Sequence, residues 1–425
     1  MRKIKKIFED KSFIKAVISL TSGSFFAQTL TILASPLLTR IFSPQELGVY
    51  TLVLTAEGLF AGIICGRYDV SIVYEQDENK VFALIKSSSL ITFFLSLIIS
   101  ISYGSYYFIF NEEYSSYWYA IVFIFFMLLF NGLNRILEAY NNRKKEYKVI
   151  TTVYIIKTLI QNVGSVALGL LKLSVLGLLF SHTIGLLGGL KKQAKTISLH
   201  INKIRSVKNN EMKEVLRDHF RQPLYSAPAN FANKFSYTSI LVFIESLFGL
   251  AVLGFYSISY KALGLPLTVI SNNVAKVFFQ EASSEFNLTG RFYRSFNKIS
   301  VFLLFISIPM VVVLFFFSPK VFELVFGEKW KEAGVYVQIL APMFGVRFIV
   351  NTVAYGLQIV KKQHLELILQ FLFIFASTGG YIFTKISYLN VNQFLLIISI
   401  SFSIIYFLYF IVIMYYAYTN NSEKN

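Results

Sequence analysis

Apolar residues run along this chain in long blocks separated by short polar punctuation. The blocks can be drawn at 13–38, 47–65, 81–103, 117–138, 149–171, 173–190, 222–247, 250–280, 297–317, 333–360, 364–384 and 391–418. Each is close to the 20 or so residues that a helix needs to cross a bilayer. In lipid a segment must satisfy its own backbone N–H and C=O groups, so blocks of this length predict twelve spanning helices. Several carry Ser, Thr, Gly or Lys, and spans of that kind turn their polar side toward a bundle interior. Pro36, Pro228, Pro266, Pro309 and Pro342 fall in or near the blocks and predict kinks. The block after Lys11 is too long for a secretory signal and lacks a small-residue cleavage site. It reads as a first span with a basic anchor in front.

Composition excludes the alternatives to a membrane protein. Of 425 residues, 55% are hydrophobic and only 15% charged, with a mean hydropathy of +0.59. Soluble proteins carry roughly 25% charged residues. A soluble enzyme, a disordered chain and a disulfide scaffold are all excluded, the last because Cys65 is the sole cysteine. The net charge of +17 would suggest nucleic acid in a soluble protein. Here it has a topological origin, since cytoplasmic loops collect Lys and Arg, and no nucleic-acid partner is expected. With the N-terminus inside, cytoplasmic segments hold 28 Lys and Arg and outer segments hold six. That asymmetry predicts an even number of spans, both termini cytoplasmic, and a place in the cell membrane.

The longest inner loop, 191–221, is basic and carries spaced apolar residues (Ile197, Leu199, Ile201, Ile204 and Val207). It reads as an amphipathic linker on anionic headgroups. On either side the sequence repeats. Phe42, Leu47, Gly48 and Tyr50 match Phe248, Leu253, Gly254 and Tyr256, an offset of 206. Phe110-Asn-Glu-Glu-Tyr114 matches Phe326-Gly-Glu-Lys-Trp330, and Lys144-Lys145 matches Lys361-Lys362. Three matches in order predict a duplicated six-span unit, with domains 1–190 and 222–425 joined by the linker 191–221. The expected fold is therefore all-α, twelve transmembrane helices in two six-helix bundles related by a parallel pseudo-two-fold repeat. Two such bundles rocking about a shared cavity suit transport by alternating access.

No metal cluster, phosphate loop or Asp-x-Asp pair stands in the sequence, so no catalytic residue, metal or cofactor is expected. The candidates are charges inside spans, where an ionised group is costly unless it faces a cavity or a partner. Lys157, Lys234, Lys261 and Arg347 outnumber the acids Glu57 and Glu245. An excess of buried cations fits an anionic cargo, such as a phosphate or pyrophosphate headgroup. Internal salt bridges with the two acids are the plainer reading. Glu57 and Glu245 are also candidates for coupling to H+ or Na+. Glu138 lies near a span end, where a charge can snorkel. His182, in the sixth run, either bonds a neighbouring helix or lines a path.

Several stretches resemble bacterial polysaccharide flippases of the multidrug/oligosaccharidyl-lipid/polysaccharide exporter superfamily. They are Ser35-Pro-Leu-Leu-Thr-Arg40-Ile-Phe-Ser-Pro-Gln-Glu-Leu-Gly-Val-Tyr50, Gly66-Arg-Tyr-Asp-Val-Ser-Ile-Val73 and Phe220-Arg-Gln-Pro-Leu-Tyr-Ser-Ala-Pro-Ala-Asn230. Leu265-Pro-Leu, Val277-Phe-Phe-Gln-Glu-Ala282, Phe326-Gly-Glu-Lys-Trp330 and Ile339-Leu-Ala-Pro342 continue the series over nearly the whole chain. The resemblance implies a flippase that moves an undecaprenyl-pyrophosphate-linked oligosaccharide to the outer leaflet for O-antigen, capsule or similar surface glycan. It places Arg40 in the family's Thr-Arg position, beside the four span cations as headgroup ligands. Its implied partners are membrane lipids and the polymerase and chain-length components of the same pathway. Rival readings are a drug or metabolite antiporter of the same superfamily, or a surface-glycan polymerase or ligase.

Overall fold

The computed structural model describes residues 11–360 and 362–419. The basic tail at residues 1–10, Lys361 and Lys424 lie outside them. Every regular element among the described residues is helical. Nine helices there are long and apolar enough to cross a membrane: Glu78–Phe108, Ala120–Arg143, Tyr147–Leu170, Ser174–Gln193, Lys234–Gly264, Tyr293–Phe326, Glu328–Ile359, His364–Ile386 and Val391–Tyr418. The chain forms two compact units, residues 1–42 with 49–234, and residues 43–48 with 235–425.

The first unit begins with α1 (Lys11–Ile41), of which Phe25–Ile41 is a short apolar stretch. Helix α2 (Pro44–Phe60) follows after Phe42 and Ser43, with Pro44 as its first residue, where its missing N–H is no loss. Glu46 reaches back to the Ser43 N–H at 2.7 Å and the Ser43 hydroxyl bonds the Glu46 N–H, a capping box. The second run, drawn to residue 65, ends as helix at Phe60 and passes through Gly66 and Arg67 at positive φ into α3 (Tyr68–Tyr74). Then come α4 (Glu78–Phe108), α5 (Ala120–Arg143), α6 (Tyr147–Leu170) and α7 (Ser174–Leu187). A stripe of small residues on α4, Ser88, Thr92, Ser96, Ser100 and Gly104, is buried, which lets neighbouring backbones approach.

The linker folds as four short helices, α8 (Leu190–Gln193), α9 (Lys195–Ser198), α10 (Ile201–Ser206) and α11 (Asn209–Asp218). Its apolar residues divide. Ile197 and Ile204 are buried, while Leu199 and Ile201 are exposed. Lys86, two turns into α4, donates to the carbonyls of Arg205 and Val207 at the end of α10. Lys80 pairs with Asp218 at 2.6 Å. The linker is thus strapped to the start of a spanning helix rather than lying free.

In the second unit α12 (Ala227–Pro266) is interrupted at Gly249, whose φ of 81° and ψ of −178° belong to a region open only to glycine. This break separates the runs read as 222–247 and 250–280. Gly249 is 206 residues after Ser43, which occupies the corresponding break between α1 and α2. The same offset governs a close approach inside this unit. A Cβ on Gly48 would lie 1.9 Å from the Leu250 carbonyl oxygen, and a Cβ on Gly254 would lie 1.9 Å from that of Pro44. The unit continues with α13 (Asn272–Thr289), α14 (Tyr293–Phe326), α15 (Lys331–Val353), α16 (Gly356–Ile359), α17 (Gln363–Ile386) and α18 (Val391–Tyr418). Pro309 and Pro319 lie inside α14, and Pro342 inside α15.

Candidate functional site

Each unit holds its own polar cluster, and the two have opposite character. In the first unit Glu57 sits on α2. Its carboxylate accepts from the Asn131 amide of α5 at 2.6 Å and pairs with His182 Nε2 of α7 at 2.8 Å. His182 Nδ1 lies 2.9 Å from the Tyr50 hydroxyl, two turns earlier on α2. A neutral His182 that donates from Nε2 must accept at Nδ1, so Tyr50 then donates. An imidazolium donates from both nitrogens, and Tyr50 turns to accept. Lys157 of α6 is close enough to act electrostatically on Glu57 and on Glu138. With Glu138, Asn134 and Tyr154 it lines a cavity of about 340 Å³.

The second unit's cluster is built on Arg347, on α15 one turn past Pro342. Its Nη1 donates to the Tyr260 hydroxyl of α12 at 3.1 Å. The guanidinium lies 4.9 Å from the ring centre of Tyr237 and 5.1 Å from that of Phe344. Tyr406 of α18 is also within electrostatic reach. Rings at these distances attract a cation through their negative faces. Yet no carboxylate pairs with Arg347 among the described residues, and its buried Nε–H has no acceptor there. An unmet buried donor of this kind is costly and marks a place for an anionic acceptor. Lys261, the residue after Tyr260, is half-buried and likewise has no ion pair among the described residues.

The sequence-derived site residues therefore separate. Arg347 and Lys261 stand in one unit as cations with no ion pair among the described residues. Lys157 stands in the other beside Glu57 and Glu138. Arg40, in the last turn of α1, and Lys234 are exposed and join neither cluster. Glu245 is buried on the first arm of α12. Sequence reasoning missed Tyr50, Asn131, Tyr237, Tyr260 and Tyr406. A buried acid signals that partners must exist, but partners 74 and 125 residues away carry no spacing that points to them. One signal was present: at the offset of 216 that relates Phe110 to Phe326, Asn131 corresponds to Arg347.

The family described as "Polysaccharide biosynthesis protein" matches residues 37–335 of this chain. The chain belongs to that family. A relative, the teichuronic acid biosynthesis protein TuaB of Bacillus subtilis (strain 168), is 23% identical over 136 residues. That match spans 32% of this chain and 28% of the relative. Among solved structures, the lipid II flippase MurJ in an inward closed conformation aligns with a TM-score of 0.74 at 15% identity. The alignment covers 93% of this chain and 87% of that one. An inward-facing multidrug resistance MATE family transporter of the MOP superfamily aligns with a TM-score of 0.65 at 14% identity, over 93% and 95% of the chains. At these identities the likeness to MurJ and MATE is one of fold. Family and fold together bear out the resemblance to polysaccharide flippases of that superfamily read in the sequence.

Proposed function

We propose that this polysaccharide-family protein is a flippase for undecaprenyl-pyrophosphate-linked oligosaccharide, moving it from the cytoplasmic to the outer leaflet by alternating access. The observation that carries this reading is Arg347, a fork of donors held by tyrosines and paired with no acid among the described residues. It suits a phosphate, whose oxygens accept bidentate donors, and Lys261, next to Tyr260 in the chain, is a further candidate cation. Tyr237 and Tyr260 also offer faces on which sugar rings can stack. A drug antiporter with cationic cargo would be served by an acid where Arg347 stands. Glu57, beside His182, and Glu245 are the candidates for coupling to H+ or Na+. Arg40 and Lys234, exposed in the structure, remain candidates for meeting the headgroup on its way.

This reading includes twelve spans in two six-helix bundles, 1–190 and 222–425, with both termini cytoplasmic. The 28-to-six asymmetry and the shared breaks at Ser43 and Gly249 support it. The test uses lipid extracts of cells lacking the gene. An oligosaccharide on the polyprenyl carrier is expected to accumulate and to resist an enzyme that reaches only the outer face. Single units accumulating on the outer face would instead indicate a polymerase or ligase. No accumulation, with altered tolerance of small cations, would indicate the antiporter.

A further inference from the structure

The second unit carries a groove of about 570 Å³ between α14, α15 and α18. Its walls include Val301, Leu304, Ile308 and Val312 on α14, with Val346 and Ile349 on α15. Helix α14 is the most hydropathic of the nine spans, and Val301, Leu304, Ile308 and Val312 are each about half exposed. In a spanning helix such exposure faces lipid, so the groove opens sideways into the bilayer. From Asn297 to Val312 it runs on the order of 22 Å, most of the hydrocarbon thickness.

One end is charged. Asn297 lines the groove, Arg294 precedes it by one turn on the same helix face, and Arg291 stands in the turn before α14. Arg291 and Arg294 are exposed and have no side-chain ion pair among the described residues. The nearby acids are engaged: Glu281 pairs with Lys298, and Glu285 accepts the backbone N–H groups of Arg294 and Ser295. A dry channel with free guanidinium groups at its mouth fits an amphiphile with an anionic head. The volume decides how many chains fit. A methylene occupies roughly the 30 Å³ of a water molecule, so the groove holds about 20 carbons. That is room for the length of a single chain.

We propose that this groove binds the head-proximal isoprene units of the polyprenyl carrier, with its phosphate at Arg291 and Arg294. The proposal rests on the flippase reading and places the carrier's grip on the lipid-facing flank of the second unit, apart from Arg347.

The test uses the full chain in phosphatidylcholine nanodiscs with a diazirine-bearing polyprenyl phosphate as photoprobe. Adducts are expected within 301–312 and 342–350. Ile308→Trp, which fills the groove, should cut labelling about tenfold, a loss of about 1.4 kcal/mol in binding. The double variant Arg291→Gln with Arg294→Gln should raise the half-labelling concentration by a similar factor. Excess undecaprenyl phosphate should compete, and phosphatidylglycerol should not. Competition on the intact chain needs no variant to fold. Adducts spread evenly over the lipid-facing helices, or equal competition by phosphatidylglycerol, would overturn the proposal. Groove labelling in a protein whose deletion leaves no lipid-linked oligosaccharide behind would sink the flippase reading and still support chain binding.

Discussion

At the scale of single residues, the sharpest feature is the asymmetry between Arg347 and Lys157. Both were legible as charges in apolar runs. Which of them has a counter-charge was not, because Glu57, Glu138 and the tyrosines come from helices far apart in sequence. Arg347→Gln keeps a polar side chain but removes the charge. It is expected to abolish accumulation of surface glycan in a complementation assay, with the protein still present in the membrane at wild-type amounts. Arg347→Lys should fail nearly as fully, since an ammonium cannot make the fork or stack as a guanidinium does. Wild-type glycan in both variants would remove Arg347 from the site. Gly249 makes a different kind of demand. No heavy atom lies within 4 Å of a Cβ built there, so space does not limit it, but its backbone angles do. Gly249→Ala should therefore cost about 1–3 kcal/mol by strain alone. A thermal-unfolding midpoint unchanged in detergent would refute that.

Among elements, the linker shows where reading by periodicity stops. Amphipathic spacing was visible, but periodicity cannot say whether an apolar face meets lipid or protein. Here Ile197 and Ile204 go inward. The strap is completed by Glu75, which follows α3. The backbone N–H groups of Asp77 and Gln76 and the His219 ring hold its carboxyl below the usual value of 4.5. A lowered carboxylate stabilises the folded arrangement fully above its ordinary value and ceases to do so as pH falls through the lowered one. The strap should accordingly loosen only under acid, well below neutrality. Glu75→Gln should mimic that loosening at pH 7 and speed tryptic cleavage at Lys203 or Arg205 a few-fold. Cleavage at the same rate as in the unaltered chain would mean that Lys80, Lys86 and the buried isoleucines hold the linker unaided. Exposed pairs such as Lys80 with Asp218 are each worth at most about 1 kcal/mol, so salt alone should have a small effect.

For the whole molecule, an all-helical membrane protein was legible because it rests on long apolar blocks, which need no knowledge of packing. The fine edges were not. The short second helix, the turn at Gly66 and Arg67, and the break at Gly249 depend on backbone angles that hydropathy ignores. The topology proposed above is open to labelling, since Cys65 is the sole cysteine and is buried. In a Cys65→Ala chain, Lys203→Cys should react with a membrane-impermeant maleimide only from the cytoplasm, and Tyr388→Cys only from outside. Reaction of both from one side would require an odd number of spans between them to be abandoned. The paired glycines carry a consequence of another sort. Gly48 meets Leu250 while Gly254 meets Pro44, and an offset of 206 carries Gly48 to Gly254 and Pro44 to Leu250. Contacts of this form are self-complementary, the same patch used twice about a two-fold axis. A half-length ancestor with one such glycine would have made both contacts on meeting a copy of itself. Its gene could then have been fused in tandem without redesigning the joint, leaving two positions that had to stay glycine together.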